Sequence, residues 1–379
     1  MSKQVLLVGT RKGAWKIESD ATRSQWQIKG PMHLGAVVSH YVADPRRPGV
    51  ELMSVGSGHL GPSVFVSQDY GETWTEASKP PAFSLEPNGS QRSVDHVFWL
   101  TPGHACEPDV WYAGTSPQGL FRSSDGGDTW EEVLGFNHHP DFLQWRGGDK
   151  DGTPDGPKLH SIIVDHSDKA HLLVGMSSGG IFESFDEGRS WTPLNSGVAM
   201  DFYPPKEDGS EYEFGHDPHC LVMHPQQANR LYHQNHCGLY AMDRAQGKRW
   251  ARIGDNLPKE VGDIGFPIVV HPRDPERIWV FPMDGSGQWP RTSPGGTPAV
   301  FHSRDGGASF ERQANGFPAQ QAWWTVKRQC MALDQEPSVG VYLGTSNGQL
   351  WGSSDEGASW HGIAMDLPQI YSVEVGTLP

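Results

Sequence analysis

The sequence has no long apolar run, few cysteines and few basic residues for its length. No stretch reaches the roughly 18 to 20 consecutive apolar residues that a membrane-spanning helix requires, so we expect no membrane partner. The four cysteines show neither zinc-finger spacing nor the pattern of a disulfide framework. Lys and Arg number 30 against 45 Asp and Glu, a net charge of −15. This balance disfavours a surface that binds nucleic-acid phosphates.

The first nine residues do not resemble a secretory signal, because they contain no basic segment followed by a long apolar segment. We therefore expect a cytoplasmic protein whose cysteines are reduced thiols. No nucleotide cofactor is predicted, and the sequence indicates no oligomeric state.

Turn-forming and aromatic residues are abundant: the 379 residues include 46 Gly, 30 Pro, 15 Trp and 15 Phe. Much of this composition belongs to a repeated pattern, Ser-x-Asp-x-Gly-x-Thr/Ser-Trp. Its five clear copies occupy residues 67–74, 123–130, 184–191, 303–310 and 353–360. Two degenerate copies occupy residues 20–26 and 243–250. The seven aspartates are about 50 to 60 residues apart, a period typical of propeller blades.

Short apolar runs separated by turn residues precede each copy and predict four strands, A to D, per repeat. The first repeat lacks an A strand, whereas residues 370–375 form a strand with no B strand after it. We expect this last strand to complete the first sheet and so to remove two exposed sheet edges. The predicted fold is all-β: one domain, residues 1–379, forming a seven-bladed β-propeller of four-stranded antiparallel blades, its N-terminal blade closed by the C-terminal strand.

The repeated box resembles that of the Asp-box (BNR-repeat) propellers of the sialidase superfamily. The resemblance covers nearly the whole chain. It implies the propeller fold, but it does not select a function, because hydrolases and binding proteins share the box. Within the box, the Asp can accept hydrogen bonds across its own hairpin, the Gly permits a positive φ and the Trp can pack between sheets. We therefore interpret the boxes as structural and expect the functional site at the opposite ends of the strands.

Several histidines fall at that opposite side. His96, His160 and His219 lie near the predicted starts of A strands, and His236 lies in an unusual B-to-C turn, residues 233–238. Neutral imidazole is the commonest ligand of transition metals in proteins. The predicted ligand set is therefore these four histidines around Fe, Cu, Zn or Mn, with His40 in reserve. Polar filling of a wet channel is the alternative explanation.

A second set of residues suits a metal-free glycosidase. A sialidase requires arginines, a tyrosine nucleophile and acidic groups, for which Arg328, Tyr371 and Asp217 are the catalytic candidates. Another glycosidase would need two facing carboxylates. No spacing singles out a pair among the candidates on the loops, which are Asp95, Asp141, Asp201, Glu211, Glu213 and Asp217. Residues predicted to bind substrate are His40, His59, Arg11, Asn235, Gln329 and Trp324. Residues 149–156 superficially resemble a calcium loop, but they lack the distal Glu.

Three functional hypotheses follow. The leading one is an enzyme that acts on a small organic molecule at a His-lined, metal-binding pocket opposite the boxes. The first alternative is a metal-independent glycoside hydrolase of the sialidase superfamily. The second alternative is a non-catalytic propeller that binds a protein or a glycan.

Overall fold

The computed structural model describes residues 3–58, 61–85, 91–147 and 156–378. Within these ranges, 28 strands form seven four-stranded sheets whose paired strands are antiparallel. The fold is a seven-bladed β-propeller, as the spacing of the boxes predicts. Two short α-helices are the only α-helices of the described residues.

The strands of the first four sheets follow in sheet order. The first sheet contains β28 (Ile370–Leu378), β1 (Lys3–Thr10), β2 (Gly13–Ser19) and β3 (Trp26–Met32). The second contains β4 (Val37–Ala43), β5 (Glu51–Ser57), β6 (Gly61–Ser67) and β7 (Thr75–Glu76). The third contains β8 (His96–Pro102), β9 (Trp111–Ser116), β10 (Gly119–Ser123) and β11 (Glu131–Glu132). The fourth contains β12 (Leu159–Val164), β13 (Leu172–Met176), β14 (Gly180–Ser184) and β15 (Thr192–Pro193).

The other three sheets follow the same order. The fifth contains β16 (Pro218–His224), β17 (Gln227–Asn235), β18 (Gly238–Asp243) and β19 (Ala251–Arg252). The sixth contains β20 (Gly265–Val270), β21 (Ile278–Pro282), β22 (Val300–Ser303) and β23 (Glu311–Gln313). The seventh contains β24 (Met331–Leu333), β25 (Val341–Gly344), β26 (Leu350–Ser353) and β27 (His361–Ala364).

The helical segments are short and lie in connections. They are α1 (Leu134–Asn137), α2 (Phe142–Trp145) and two 3₁₀ turns, Gly254–Asn256 and Pro294–Gly296. Among the residues described, no helix has the length and apolar character needed to cross a bilayer.

The chain divides into two compact units. The first unit comprises Met1–Ser177, Phe182–Thr192 and Tyr371–Pro379, and the second comprises Ser178–Ile181 and Pro193–Ile370. The assignment of residues 1–379 to one domain stays a prediction.

Each clear box is a hairpin whose Asp accepts hydrogen bonds from its own turn. In the third sheet, Asp125 Oδ1 accepts from the Thr129 backbone N–H at 2.9 Å and from the Ser123 hydroxyl at 2.8 Å. The Ser123 hydroxyl in turn accepts from the Gly127 N–H at 2.9 Å. These bonds satisfy the polar groups that the tight turn leaves unpaired. The box is therefore a turn-stabilising device, as predicted.

The Trp of the box packs between sheets. Trp130 is 1% exposed and belongs to one apolar cluster with Leu52 of the second sheet and Trp111 of the third. Its backbone N–H donates to the Lys79 carbonyl at 2.9 Å. The cluster lies within the first unit, where this tryptophan joins two neighbouring sheets.

Strand β28 pairs with β1 and completes the first sheet, which confirms the predicted closure. His40 connects this strand to two others in the same unit. Its Nδ1 accepts a hydrogen bond from the Leu100 backbone N–H at 2.9 Å, and its Nε2 lies 3.0 Å from a carboxylate oxygen of Glu374. Because Nδ1 is an acceptor, the proton of the neutral ring lies on Nε2 and points to Glu374.

Candidate functional site

The site that the structure assembles lies in the second unit, at the start of β16. The register of β16 against β17 shifts between Pro218 and Cys220, so that His219 has no partner of its own on β17. This is a β-bulge, a device that turns one side chain away from the regular alternation of a strand. His236 lies in the two-residue turn between β17 and β18, directly after the residue that pairs with Pro218.

The bulge and the turn bring three polar side chains together. Asp217 Oδ2 lies 3.5 Å from His219 Nε2 and 3.7 Å from His236 Nδ1. One ligand atom from each of the three residues lies within 4.8 Å of the other two. The exposed fractions of the side chains are 4% for His219, 17% for Asp217 and 38% for His236. The cluster is therefore mostly buried and reaches solvent through His236.

Hydrogen bonds orient the two imidazoles. His219 Nδ1 lies 2.6 Å from the carbonyl oxygen of Gly265, which can only accept, so Nδ1 carries a proton. Nε2 therefore faces Asp217, where it donates to the carboxylate when the ring is protonated and offers a lone pair when the ring is neutral. On His236, Nε2 lies 3.4 Å from a guanidinium nitrogen of Arg291, which can only donate. The proton of a neutral His236 therefore lies on Nδ1, towards Asp217.

Asp217 is held in its ionised form. Burial acts to raise its pKa, but the hydrogen bond from His219 and the positive charges of His219, Arg328 and His236 outweigh burial and lower the pKa well below its usual value. Burial, followed by the charge of His219, lowers the pKa of His236. The cluster therefore combines a stable carboxylate with an imidazole that favours its neutral form.

Aromatic rings surround the cluster. The His219 ring lies 4.6 Å from Phe266, and the His236 ring lies edge-on at 5.9 Å from Phe202. Phe266 in turn contacts Trp289 at 5.6 Å. Phe202 and Trp289 are 48% and 44% exposed, so two large apolar surfaces face solvent beside the cluster.

A pocket of about 370 Å³ borders the cluster through His236. Arg252 lies in its wall and makes two hydrogen bonds to Asp263, of 2.9 and 3.1 Å. The same guanidinium lies 4.0 Å from Asp201, which also lines the pocket. Two carboxylates thus meet one cation in a cavity whose size is within the roughly 300–1,000 Å³ typical of small-molecule sites.

A second layer of polar residues supports the turn that carries His236. Asn235 Oδ1 accepts from the Cys237 backbone N–H at 2.9 Å, and its amide lies 3.3 Å from His233 Nε2. Burial, and then the charges of His216 and His219, keep the pKa of His233 well below its ordinary value. Asn235, predicted to bind substrate, is itself fully buried and braces the turn.

Other predicted site residues lie in the first unit. His96 Nδ1 is 2.7 Å from Asp95, and His160 is buried with its Nδ1 2.9 Å from the Ser161 hydroxyl. Both ring nitrogens of His40 are engaged, as described above. Arg11 lies exposed between β1 and β2, and Tyr371 is half-buried on β28. Metal binding by His96 and His160 stays a prediction, as does catalysis by Tyr371.

The remaining candidates belong to the second unit or fall outside the described residues. Arg328 lies before β24, where its charge acts on Asp217 and its guanidinium carbon is 5.9 Å from the centre of the Phe266 ring. Gln329 is buried beside it. Trp324 is 1% exposed and packs on Phe317, so its ring belongs to the core. Two predictions stay untested: His59, predicted to bind substrate, lies outside the described residues, as do residues 149–155 of the calcium-like loop at 149–156.

Sequence reasoning passed over Arg252, Asp263 and Arg291. Arg291 lies in a long connection, residues 283–299, between β21 and β22. The turns between the corresponding strands of the third and fifth sheets are only two residues long, so the length of this connection was a usable signal. Arg252 ends β19 and Asp263 lies near the end of the connection from β19 to β20, and no local pattern distinguishes them.

Asp217, His219 and His236 are the residues that could hold a metal ion, since they offer one carboxylate and two imidazoles. Without a metal, the same arrangement can accept or hold a proton, and the Asp201–Arg252–Asp263 group can polarise a bound hydroxyl or water.

Comparisons with known proteins were made for sequence and for structure. No family model matches this sequence. A probable oligoxyloglucan-reducing end-specific xyloglucanase from Neosartorya fischeri is 23% identical over 316 residues, which cover 76% of this chain and 35% of that protein. A xyloglucanase from Paenibacillus sp. is 23% identical over 291 residues, covering 69% of this chain and 25% of that protein. The chain therefore spans about a third or less of these curated relatives.

The comparison with solved structures also finds a xyloglucanase. The crystal structure of the GH74 xyloglucanase from Xanthomonas campestris matches with a TM-score of 0.64 and 18% identity, over 99% of this chain and 52% of that chain. At this identity the match shows a shared propeller fold. Membership of the sialidase superfamily, which the resemblance of the boxes implies, stays a prediction.

Proposed function

We propose that this chain is a glycoside hydrolase that binds an oligosaccharide in the pocket of the second unit and cleaves a glycosidic bond there. The observation that carries the proposal is the placement of Asp201 and Asp263 on one guanidinium, that of Arg252, in a pocket beside exposed aromatic rings. The relatives described as xyloglucanases support an oligosaccharide as the class of substrate.

The two carboxylates differ in their surroundings, and this suits the two roles that glycoside hydrolysis requires. Asp263 is 18% exposed and receives both hydrogen bonds from Arg252, so we assign it as the group that activates water or attacks the sugar. Asp201 is 66% exposed and lies farther from Arg252, at 4.0 Å. We assign Asp201 as the acid that protonates the leaving oxygen.

The aromatic rings account for the binding of a sugar. Carbohydrate rings present flat C–H faces, which pack on aromatic side chains. Phe202 lines the pocket and Trp289 stands beside Phe266, both with nearly half of their surface exposed. These rings supply the apolar contact and the carboxylates supply the polar contact.

The test is hydrolysis of a panel of oligosaccharides, including xyloglucan and other β-glucan fragments, followed by mass spectrometry of the products. We expect Asp201→Asn and Asp263→Asn each to lower the rate by about 10²- to 10⁴-fold, the usual effect of removing a general acid or base. Asp255→Asn is the matched control, because Asp255 lies 3.5 Å from the same guanidinium but is 75% exposed and does not line the pocket.

Two other results would redirect the proposal. Oligosaccharide binding without any cleavage would favour a non-catalytic glycan-binding propeller. Cleavage that survives both substitutions would place the reaction elsewhere in the molecule. A cytoplasmic location stays a prediction, as does a metal-dependent reaction on a small organic molecule.

A further inference from the structure

We propose that Asp217, His219 and His236 bind one divalent first-row transition-metal ion in the wall of the pocket. The inference goes beyond glycoside hydrolysis, because none of the three residues has a role in that proposal. It rests on the distances between the ligand atoms, the orientation of His219 and an unpaired oxygen on Asp217.

The distances fit a metal centre. Bonds of about 2.0–2.2 Å from nitrogen or oxygen to a metal place neighbouring ligand atoms roughly 3.0–3.5 Å apart. The observed separations are 3.5 Å from Asp217 to His219 and 3.7 Å from Asp217 to His236. The ligand atoms of the two histidines lie within 4.8 Å of each other, so the imidazoles would move towards each other when an ion binds.

His219 is already oriented as a metal ligand. Its Nδ1 donates to the Gly265 carbonyl at 2.6 Å, which fixes the ring and leaves Nε2 directed at the cluster. Metal-binding histidines usually donate their second N–H to a carbonyl or carboxylate in this way. The β-bulge at His219 produces this orientation, since it frees the residue from the pairing of β16 with β17.

Asp217 has a second oxygen that a metal would satisfy. Its Oδ1 is buried and, within the described part of the chain, has no hydrogen-bond partner. A buried acceptor left without a hydrogen bond destabilises the folded protein. An ion bound by both oxygens of the carboxylate would remove this cost.

The site would also remain open to small molecules. His219 is buried, whereas His236 lines the pocket and is 38% exposed. Two imidazoles and one carboxylate leave coordination positions free, as at reactive metal centres. The ion would therefore present exchangeable positions to the pocket and could bind substrate hydroxyl groups there.

The guanidinium of Arg291 opposes metal binding at His236 and so provides a further test. Its guanidinium donates to His236 Nε2 at 3.4 Å. A metal ion bound at His236 Nδ1 requires the ring proton to lie on Nε2. This N–H would then face the positively charged guanidinium of Arg291, which can only donate. We therefore expect Arg291→Gln to tighten binding, about tenfold, because the Gln carbonyl can accept from Nε2–H and the charge is removed.

The experiment uses the full chain after treatment with a chelator and dialysis. Co²⁺ is added while the visible d–d absorption is recorded, and Zn²⁺ binding is measured by calorimetry. We expect one equivalent to bind. His236→Ala and Asp217→Asn should weaken binding at least about 100-fold, the upper range for loss of a ligand-supporting group. His138→Ala, which removes a partly exposed histidine directly after α1, should not change it.

Circular dichroism and thermal melting of each variant establish that it is folded. Less than a fifth of an equivalent bound by the wild-type protein would overturn the proposal. So would binding that is unchanged in both His236→Ala and Asp217→Asn. Because no substrate is present, the result is independent of whether the pocket hydrolyses a glycosidic bond.

Discussion

The Nδ1 nitrogen of His219 and the carbonyl oxygen of Gly265 lie 2.6 Å apart and join the first strand of the fifth sheet to the first strand of the sixth. His219 is 3% exposed, so both partners lack competing water. The bond therefore stabilises the fold and also sets the orientation of the imidazole in the site.

Replacement of His219 by Ala should destabilise the protein by about 1–3 kcal/mol, because the Gly265 carbonyl loses its donor in a buried position. The measurement is urea denaturation in the presence of a chelator. His236→Ala is the control, and we expect less than about 1 kcal/mol from it because the His236 side chain is 38% exposed. Equal losses from the two substitutions would contradict the structural role of the Gly265 bond.

The box in the third sheet offers a second test. Asp125→Ala removes the acceptor of the Thr129 N–H and should cost about 0.5–2 kcal/mol, as loss of an Asp cap does. Asp125→Asn keeps one acceptor oxygen and should cost less. The neighbouring exposed residue gives the control, because Ser124→Ala should stay within about 0.5 kcal/mol. Thermal melting of the three variants decides the order.

The pH dependence of stability should depend on His302 in the sixth sheet. Burial, and then the charges of Arg304, Arg277 and His271, lower the pKa of His302 to about 4, while Asp274 acts to raise it. The folded state thus resists protonation while the unfolded state takes up a proton near pH 6.5. The neutral ring therefore makes its full contribution to stability above about pH 6.5. This contribution, about 3 kcal/mol at most, is lost as the pH falls towards 4.

His302→Gln should therefore flatten the fall in stability between pH 6.5 and 4, as measured by denaturation at a series of pH values. The ring stacks on Trp279 at 4.4 Å, so the variant will also be less stable at neutral pH. The difference in slope, rather than the absolute stability, is the quantity that tests the prediction. If the slope of stability against pH were the same in the variant and the wild-type protein, groups other than His302 would cause the loss of stability in acid.

The closing strand provides a fourth prediction. Val373 on β28 is fully buried, so Val373→Asp places an unpaired carboxylate in the interior. We expect a loss of about 3 kcal/mol or more. Thr377 lies on the same strand but is exposed, and Thr377→Asp should have little effect. Thermal melting distinguishes the two, and equal melting temperatures would show that β28 contributes little to the first sheet.

Periodic features of the sequence predicted the fold well. The boxes supplied the number of sheets, and the orphan strand at 370–375 predicted β28, because box and strand are local patterns that repeat. His219 and His236 were both selected from the sequence, as was Asp217. The close approach of these three side chains, however, depends on a β-bulge in β16. A bulge displaces one side chain, and no particular residue type in the sequence indicates where it occurs.

The walls of the pocket were harder to predict. Arg291 and Asp263 lie in connections, and Arg252 ends the two-residue strand β19. The path of such segments depends on packing rather than on local sequence, so the convergence of these residues could not be derived. Trp324 illustrates the opposite error: an aromatic residue outside the boxes suggested a binding surface, but it is buried against Phe317.

The pairing of β28 with β1 also determines when the molecule can finish folding. A ribosome that adds about 5–20 residues per second would need roughly 20 to 70 s between the synthesis of Thr10 and that of Ile370. Throughout this interval, β1 (Lys3–Thr10) has a vacant hydrogen-bonding edge, which other strands could occupy. Maturation of the first sheet is thus a late event in biosynthesis, and any process that shields this nascent edge would raise the yield of native protein.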